Sequence, residues 1–334
     1  MDVGLIGTGW AAERHAAALG RIEGVRVAAI AGRNAARLDR LCRSSGAAAY
    51  ADYREMLRRE RLDAVLVLLP PHLRGEPEIA CAAAVPAVLV EKPVARDLDT
   101  ALRVGEAFER AGTVAAAAYM NRCRKSVAKT RECFAPPNGE AVLVEGRWVG
   151  DVPPPAWWRD KSLSGGQFVE QCTHLVDIAR YVAGEIVEVA AFAASGFIDD
   201  IPGYATDDAM CVNARFASGA IGHFTTGCHA RAGLMAEGGI SMEFSSRDAR
   251  CRLSGWDMEL QAEHWHGGSL PLEVESAEWE EDIFEVEDRL FLRSAAERDL
   301  SLFPSSYADA VRTLRVTLAA NESAATGRSI PIGA

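Results

Sequence analysis

Residues 63–70, DAVLVLLP, set six apolar side chains in succession and then stop at a proline. A strand with one wet face alternates polar and apolar residues, whereas a short run without alternation fits a strand covered on both sides. The same texture returns in AVLVEKP (87–93), in Val25 to Ala31 and, more weakly, in TVAAAAYM (113–120). Helical segments fall between these runs, near 34–44, 76–84 and 97–111. Strands and helices alternating at this spacing predict right-handed crossovers and a doubly wound parallel sheet over residues 1–118. Ligands of such sheets bind at the carboxyl ends of the strands.

The first of those ends is Gly7-Thr8-Gly9, between Leu5-Ile6 and an Ala-rich stretch of helical composition from Ala11. Strand, tight glycine turn and helix form the context in which G-x-G-x-x-G/A binds a dinucleotide, here as Gly7, Gly9 and Ala12. Gly7 allows the sharp turn, Gly9 lets a pyrophosphate approach the backbone, and Ala12 lets helix and strand pack closely. Taken alone, the motif also fits an ordinary strand-to-helix turn of any α/β protein. Pro70-Pro71 and Glu91-Lys92-Pro93 fall at two further strand ends, on the same edge of the sheet.

A chain of 334 residues is expected to form two domains. Hydrophobic content of 49% and charged content of 25% are those of a globular protein. The net charge of −11 argues against a nucleic-acid partner, which requires a basic patch. No apolar run reaches membrane-spanning length, and Met1-Asp2 leads into the first strand without a basic leader. The eight cysteines are scattered without a C-x-x-C pair, which fits reduced thiols better than a disulfide framework or a zinc site. No membrane partner and a cytoplasmic location are therefore expected.

From about residue 119 the texture changes. Segments 140–150, 186–197, 208–216, 219–230, 239–246 and 249–255 look like strands, with Ser218-Gly219 and Arg247-Asp248 as hairpin turns. One long helix is predicted from Gly166 to Ala183, and another from about Pro304 to Ala325, stopped by Gly327 and Pro331. The expectation is a second α+β domain over 119–303 with a large, mostly antiparallel open sheet. Residues 304–334 are expected to pack back on the N-terminal domain. Apolar alternation on the far face of the sheet, as in 208–230, predicts a homodimer or homotetramer joined sheet to sheet.

With Glu91-Lys92-Pro93 closing the fourth long strand, the chain resembles the Gfo/Idh/MocA oxidoreductases along nearly its whole length. The glycine turn, YADYREML (50–57), the Pro-Pro loop, EKP, SGGQFVEQCTHLVDIARYVAGE (164–185) and AANESAATGRSIPI (319–332) fall in family order. The loop departs from the family's Pro-Asn-x-x-His, with Arg74 where a His is common. The later helix has Gly165-Gly166-Gln167 in place of three glycines, and Glu170 in place of an Asp four residues before His174.

The resemblance implies hydride transfer between a nicotinamide and a carbinol or carbonyl carbon of a sugar, inositol or related polyol. Lys92 and His174 then handle the hydroxyl proton, with Glu170 in support. On a regular helix Glu170, His174 and Asp177 share one face, and a carboxylate beside an imidazole orients the ring for acid/base work. A solvated polar face containing a His is the alternative. Gly7, Gly9, Trp10, Ala12, Arg33, Pro70, Glu91 and Lys92 are the candidate cofactor-binding residues. Gly32 stands where an NAD enzyme carries a ribose-binding acid, and Arg33 follows, which suits the 2′-phosphate of NADP. Arg33 stacked on the adenine of NAD is the alternative. Tyr119, Arg122, Trp158 and Arg159 are candidate substrate-binding residues, with Trp157 beside them; the tryptophans also suit a domain-interface core. His264-Trp265-His266 puts two imidazoles on one face of a short strand, without a third ligand for a metal. Among family relatives a cofactor sensor without turnover, and a sugar hydrolase or lyase using tightly bound NAD, are the competing functions.

Overall fold

The computed structural model describes residues 1–136, 139–231, 239–264, 274–277 and 282–333. In the first part of the chain the strands are β1 (Asp2–Ile6), β2 (Arg26–Ala31), β3 (Ala48–Tyr50), β4 (Ala64–Val67), β5 (Ala87–Glu91) and β6 (Val114–Ala118). Helices α1 (Trp10–Leu19), α2 (Ala35–Ser45), α3 (Tyr53–Arg59), α4 (Glu76–Ala82) and α5 (Leu98–Ala111) connect them. All six strands are parallel, in the order β3-β2-β1-β4-β5-β6. That order reverses between β1 and β4, and the crevice at such a switch point is where this architecture holds its ligand. The unbroken apolar runs have the predicted cause: residues 64–67 and 87–90 are all fully buried.

The second part begins with α6 (Lys125–Cys133) and β7 (Leu143–Val149), then α7 (Lys161–Ser164), α8 (Gln167–Glu170) and α9 (Thr173–Ala183). Strands β8 (Ile186–Ala194), β9 (Ala209–Phe216), β10 (Ile221–Gly227), β11 (Ile240–Ser245), β12 (Ala249–Ser254), β13 (Glu259–His264) and β14 (Val274–Ala277) follow. Helices α10 (Ile283–Glu297) and α11 (Tyr307–Thr326) and a two-residue strand, β15 (Ile330–Pro331), complete the chain. The nine strands form one sheet, β14-β13-β12-β11-β7-β10-β9-β8-β15, antiparallel except where β7 runs parallel to β10. Both expected hairpins are present, joining β9 to β10 and β11 to β12. The expected fold class, a Rossmann-type parallel sheet plus a large, mostly antiparallel sheet, is the fold observed.

Four details differ from the expectations. The helix expected from Gly166 to Ala183 is two pieces, broken at Gln171 and Cys172, where Cys172 N–H reaches back to Gln167 and His174 N–H to Gln171. The far face of the second sheet is mostly polar: Cys211, Asn213 and Arg215 point outward on β9, and His223 bonds Asn213 and Thr225 there. The apolar members of the alternation, Met210, Val212, Phe216 and Phe224, face the core under α9. Exposed Phe192 and Ile221 are the apolar exceptions on the strands β8 and β10. By contacts the chain divides into Met1–Met120 with Glu281–Val311, and Asn121–Glu280 with Arg312–Ala334. So α10 and residues 304–311 belong with the parallel sheet, and residues 312–334 with the antiparallel one. Val316, Ala319 and Ala320 of α11 enter the second core, and Ile330 pairs with Val189 on β8.

A buried ionic cluster explains where α10 goes. His15 on α1 is fully buried, and its Nδ1 lies 2.7 Å from Asp288 Oδ1. Phe284 packs edge-on against His15 and against Trp10, while Arg21 bonds Asp282 and Glu285 at the surface. Burial opposes charge on His15, but Asp288, Glu287 and Glu91 outweigh it and push its pKa up to about 9. Burial also pushes the Glu287 and Asp288 carboxyls up. The stability that His15 contributes is complete below its ordinary value of 6.5 and is lost as pH rises through about 9. Melting temperature should therefore fall by several degrees between pH 7 and 10. In His15→Gln that fall should flatten, as followed by circular dichroism; an unchanged slope would exclude the histidine as its source.

Candidate active site

At the end of β1 the backbone turns with Gly7 at φ +132°, and a Cβ there would lie 2.2 Å from the Leu68 carbonyl oxygen. Only glycine fits so close to the chain leaving β4. Gly9 caps α1 in an extended conformation with no side-chain cap, and the space where its Cβ would stand is open. The first N–H groups of α1 thus meet an uncovered backbone surface, the arrangement that receives a phosphate. Ala12 is fully buried in the first turn, and Trp10 is exposed. These features fit a dinucleotide.

At the end of β2, Gly32 lies against the same turn: a Cβ on it would come within 2.4 Å of Thr8 Cγ2. An acidic residue at position 32 would displace Thr8. Arg33 beside it is exposed, and Asn34 caps α2 by accepting from Arg37 N–H. After β4, Pro70 opens a short 3-10 turn over Pro71–Leu73. Arg74 is buried; its Nη1 donates to the Val67 carbonyl at 2.7 Å and lies 3.4 Å from Glu78. Glu78 in turn accepts from Gly75 N–H. The departure from the family's His thus builds an ion pair that ties the end of β4 to α4. Glu91 ends β5 half-buried, followed by half-buried Lys92 and a cis bond to Pro93.

In the second unit, His174 and Asp177 are buried on α9, while Leu175, Val176, Ile178, Ala179 and Val182 face the sheet core. The Phe224 ring of β10 lies over β7 beneath α9 because position 146 is glycine. A Cβ there would lie 2.6 Å from the Phe224 ring and 3.5 Å from Leu175. Two residues along the same inward face, the Trp148 ring stacks on the His174 imidazole, with centroids 5.7 Å apart and 16° between planes. Arg122 grips Asp177 with two charge-assisted bonds of 2.7 Å, from Nε and Nη2, and Thr313 donates to the same carboxylate at 2.9 Å. Removing either partner of so buried a pair costs about 3–5 kcal/mol.

Glu170 ends the short helix α8, so the break after it removes the helical register that was to stack it above His174. It accepts a 2.8 Å bond from Trp158 Nε1. Trp158 is buried, as is Tyr119, whereas Arg159 is half-buried and reaches the Pro154 carbonyl. Arg122, expected as a substrate residue, is buried and bonds Asp177 of α9. Trp148 and Gly146 escaped the sequence reading, since an inward Trp in a strand looks like ordinary core. Of the His264-Trp265-His266 group, Trp265 and His266 lie outside the described residues; His264 Nε2 is 3.7 Å from Cys133 Sγ. Among the described residues no helix is long and apolar enough to cross a membrane.

Comparisons with known proteins agree with this geometry. Residues 1–119 match the oxidoreductase family with an NAD-binding Rossmann fold, and residues 138–255 match the GFO/IDH/MocA C-terminal domain. A myo-inositol 2-dehydrogenase of Thermotoga maritima is 32% identical over 225 residues, covering 66% of this chain and 67% of that protein. A levoglucosan dehydrogenase of Pseudarthrobacter phenanthrenivorans is 27% identical over 59% of this chain and 60% of its own. A solved levoglucosan dehydrogenase in complex with NADH superposes with a TM-score of 0.86 at 22% identity, over 100% of this chain and 99% of the other. With both domain matches, the shared fold and the glycine turn in place, the chain belongs to the Gfo/Idh/MocA oxidoreductase family.

Proposed function

We propose that this chain is an NAD(P)-dependent dehydrogenase that moves a hydride between nicotinamide and the carbinol carbon of a sugar, inositol or related polyol. The observation that carries the reading is a glycine turn left open above Gly9 in a chain that also sets Lys92 at a strand end and buries the His174 imidazole. Similar family members are named as inositol and levoglucosan dehydrogenases. Bound cofactor supplies the hydride acceptor. Lys92 donates a hydrogen bond to the substrate hydroxyl oxygen, and His174 takes the proton as the carbonyl forms and returns it in the reverse direction. Glu170, held by the Trp158 indole, orients the catalytic group. Tyr119, Trp158 and Arg159 line the polyol site, and Arg122 serves it through Asp177.

Lys92→Ala and His174→Ala should each lower turnover by roughly 10²–10⁴-fold, with cofactor affinity nearly unchanged. Steady-state rates with a panel of polyols and both cofactors measure this, and full activity in both variants would sink the assignment. Wild-type protein that binds cofactor and turns over no polyol would instead be a sensor.

Cofactor preference rests on Gly32 and Arg33. With no acid to hold a ribose 2′-hydroxyl and an exposed guanidinium beside it, NADP is favoured over NAD. Loss of a charge-assisted contact costs about 1.5–3 kcal/mol. Arg33→Ala should therefore weaken NADP binding at least tenfold by fluorescence titration and leave NAD nearly untouched. Equal losses on both would mean that Arg33 stacks on adenine.

A homodimer or homotetramer formed through the second sheet belongs to the same proposal, supported by Phe192 and Ile221 exposed on β8 and β10. Light scattering at micromolar concentration should show it; a monodisperse monomer would refute it.

A further inference from the structure

We infer that Trp148 is a positioning residue for His174, its indole fixing the plane in which the imidazole meets a proton. The inference rests on the assignment of His174 to proton transfer, but its geometric basis does not. An imidazole turns easily about its last torsion, because that bond has broad, two-fold preferences. Here the ring lies nearly parallel to a large flat neighbour, 16° between planes and 5.7 Å between centroids, and both residues are buried. The two rings lie in an offset face-to-face pair, one of the few relative orientations that aromatic neighbours favour, so the imidazole plane follows that of the indole.

The indole is itself braced. Trp256 meets it edge-on, 6.3 Å between centroids and 83° between planes. Trp256 sits in the turn between β12 and β13, and its backbone carbonyl accepts from Arg124 Nη2 at 3.1 Å. Arg124 is fixed in turn by Nε donating to Asn121 at 2.9 Å. On the strand side, Trp148 is held through its carbonyl, which accepts from Thr226, and through its place in register between β10 and β11. His174 is therefore held along its helix by the Arg122 grip on Asp177, and about its own ring bond by Trp148.

The experiment compares Trp148→Phe and Trp148→Leu in the intact protein. A stacked indole shields the imidazole C–H protons, so their NMR signals should lie upfield in the wild type and move toward ordinary positions in Trp148→Leu. Trp148→Phe keeps a flat ring and should retain part of that displacement. Turnover should fall roughly 10-fold to 100-fold in Trp148→Leu, because misplacing a reacting group by an ångström costs about that much. Trp148→Phe should recover most of it. Cofactor affinity should stay the same, and the loss should appear in kcat rather than in KM. Wild-type kcat in Trp148→Leu with the upfield displacement gone would overturn the inference while leaving His174 in its role. A Trp148→Leu protein that fails to fold leaves Trp148→Phe to decide, and no displacement in the wild type would refute the stack itself. Full activity in His174→Ala would strike the assignment of His174, a separate failure.

Discussion

The arrangement of the second domain's chemistry depends on one buried ion pair, Arg122 with Asp177. The guanidinium comes from the short turn that begins the second unit, and the carboxylate from the middle of α9. Thr313 of α11 donates to the same carboxylate and accepts from Arg180, whose guanidinium also grips Glu185. Three separate stretches of chain are thus tied to one helix face, the face that carries His174 three residues earlier. A buried charge cannot slide along a helix to another partner without exposing both ions to a medium of low dielectric, so the register of α9 is fixed. The apolar side of α9 adds area and cohesion but is tolerant of small shifts. The ion pair is what specifies.

The fold was legible because its strands obey simple rules. Unbroken apolar runs at 64–67 and 87–90 are buried on both faces, and alternation along β9 and β10 sorts Met210, Val212 and Phe224 inward from Asn213 and His223 outward. Helix α10 was not legible. Its buried residues are Ile283, Phe284, Glu287, Asp288, Phe291, Leu292, Ser294 and Ala295, correct in period but with two adjacent acids among them. A reading by hydrophobicity discards such a stripe. The countercharge that makes it buriable is His15, 273 positions away in sequence. The same distance effect hid the role of Arg122, whose partner is 55 residues on. It also hid the break before Thr173, where no proline or glycine marks the helix and Trp158 holds the carboxylate of Glu170.

The candidate site divides along the same line. The nucleotide turn is local, so Gly7, Gly9 and Ala12 announce it, and the sterics around Gly7 and Gly32 follow from chain segments that any such sheet brings together. Position 32 adds something the motif alone does not: Thr8 occupies the space into which a ribose-binding acid would project. Absence of the acid and identity of the turn residue are one packing decision. Position 74 behaves alike, since an arginine there would be an unpaired buried charge without Glu78 one helical turn away.

Seen through charge, the buried carboxylates of this chain divide by use. Asp177 faces a guanidinium, Asp288 an imidazole and Glu78 another guanidinium, each within the protein and each remote from water. A carboxylate so matched projects little field onto a neighbour, because its countercharge lies at hydrogen-bond distance. Asp177 lies on the same helix face as His174, one turn away, and is held by Arg122 and Thr313. It fixes α9, and α9 carries the His174 ring. Glu170 accepts from a neutral indole N–H, that of Trp158, which orients its carboxylate. The lengthened arm at position 170, an apparent weakness beside the family's Asp, is what lets that carboxylate reach an indole twelve residues back in the chain.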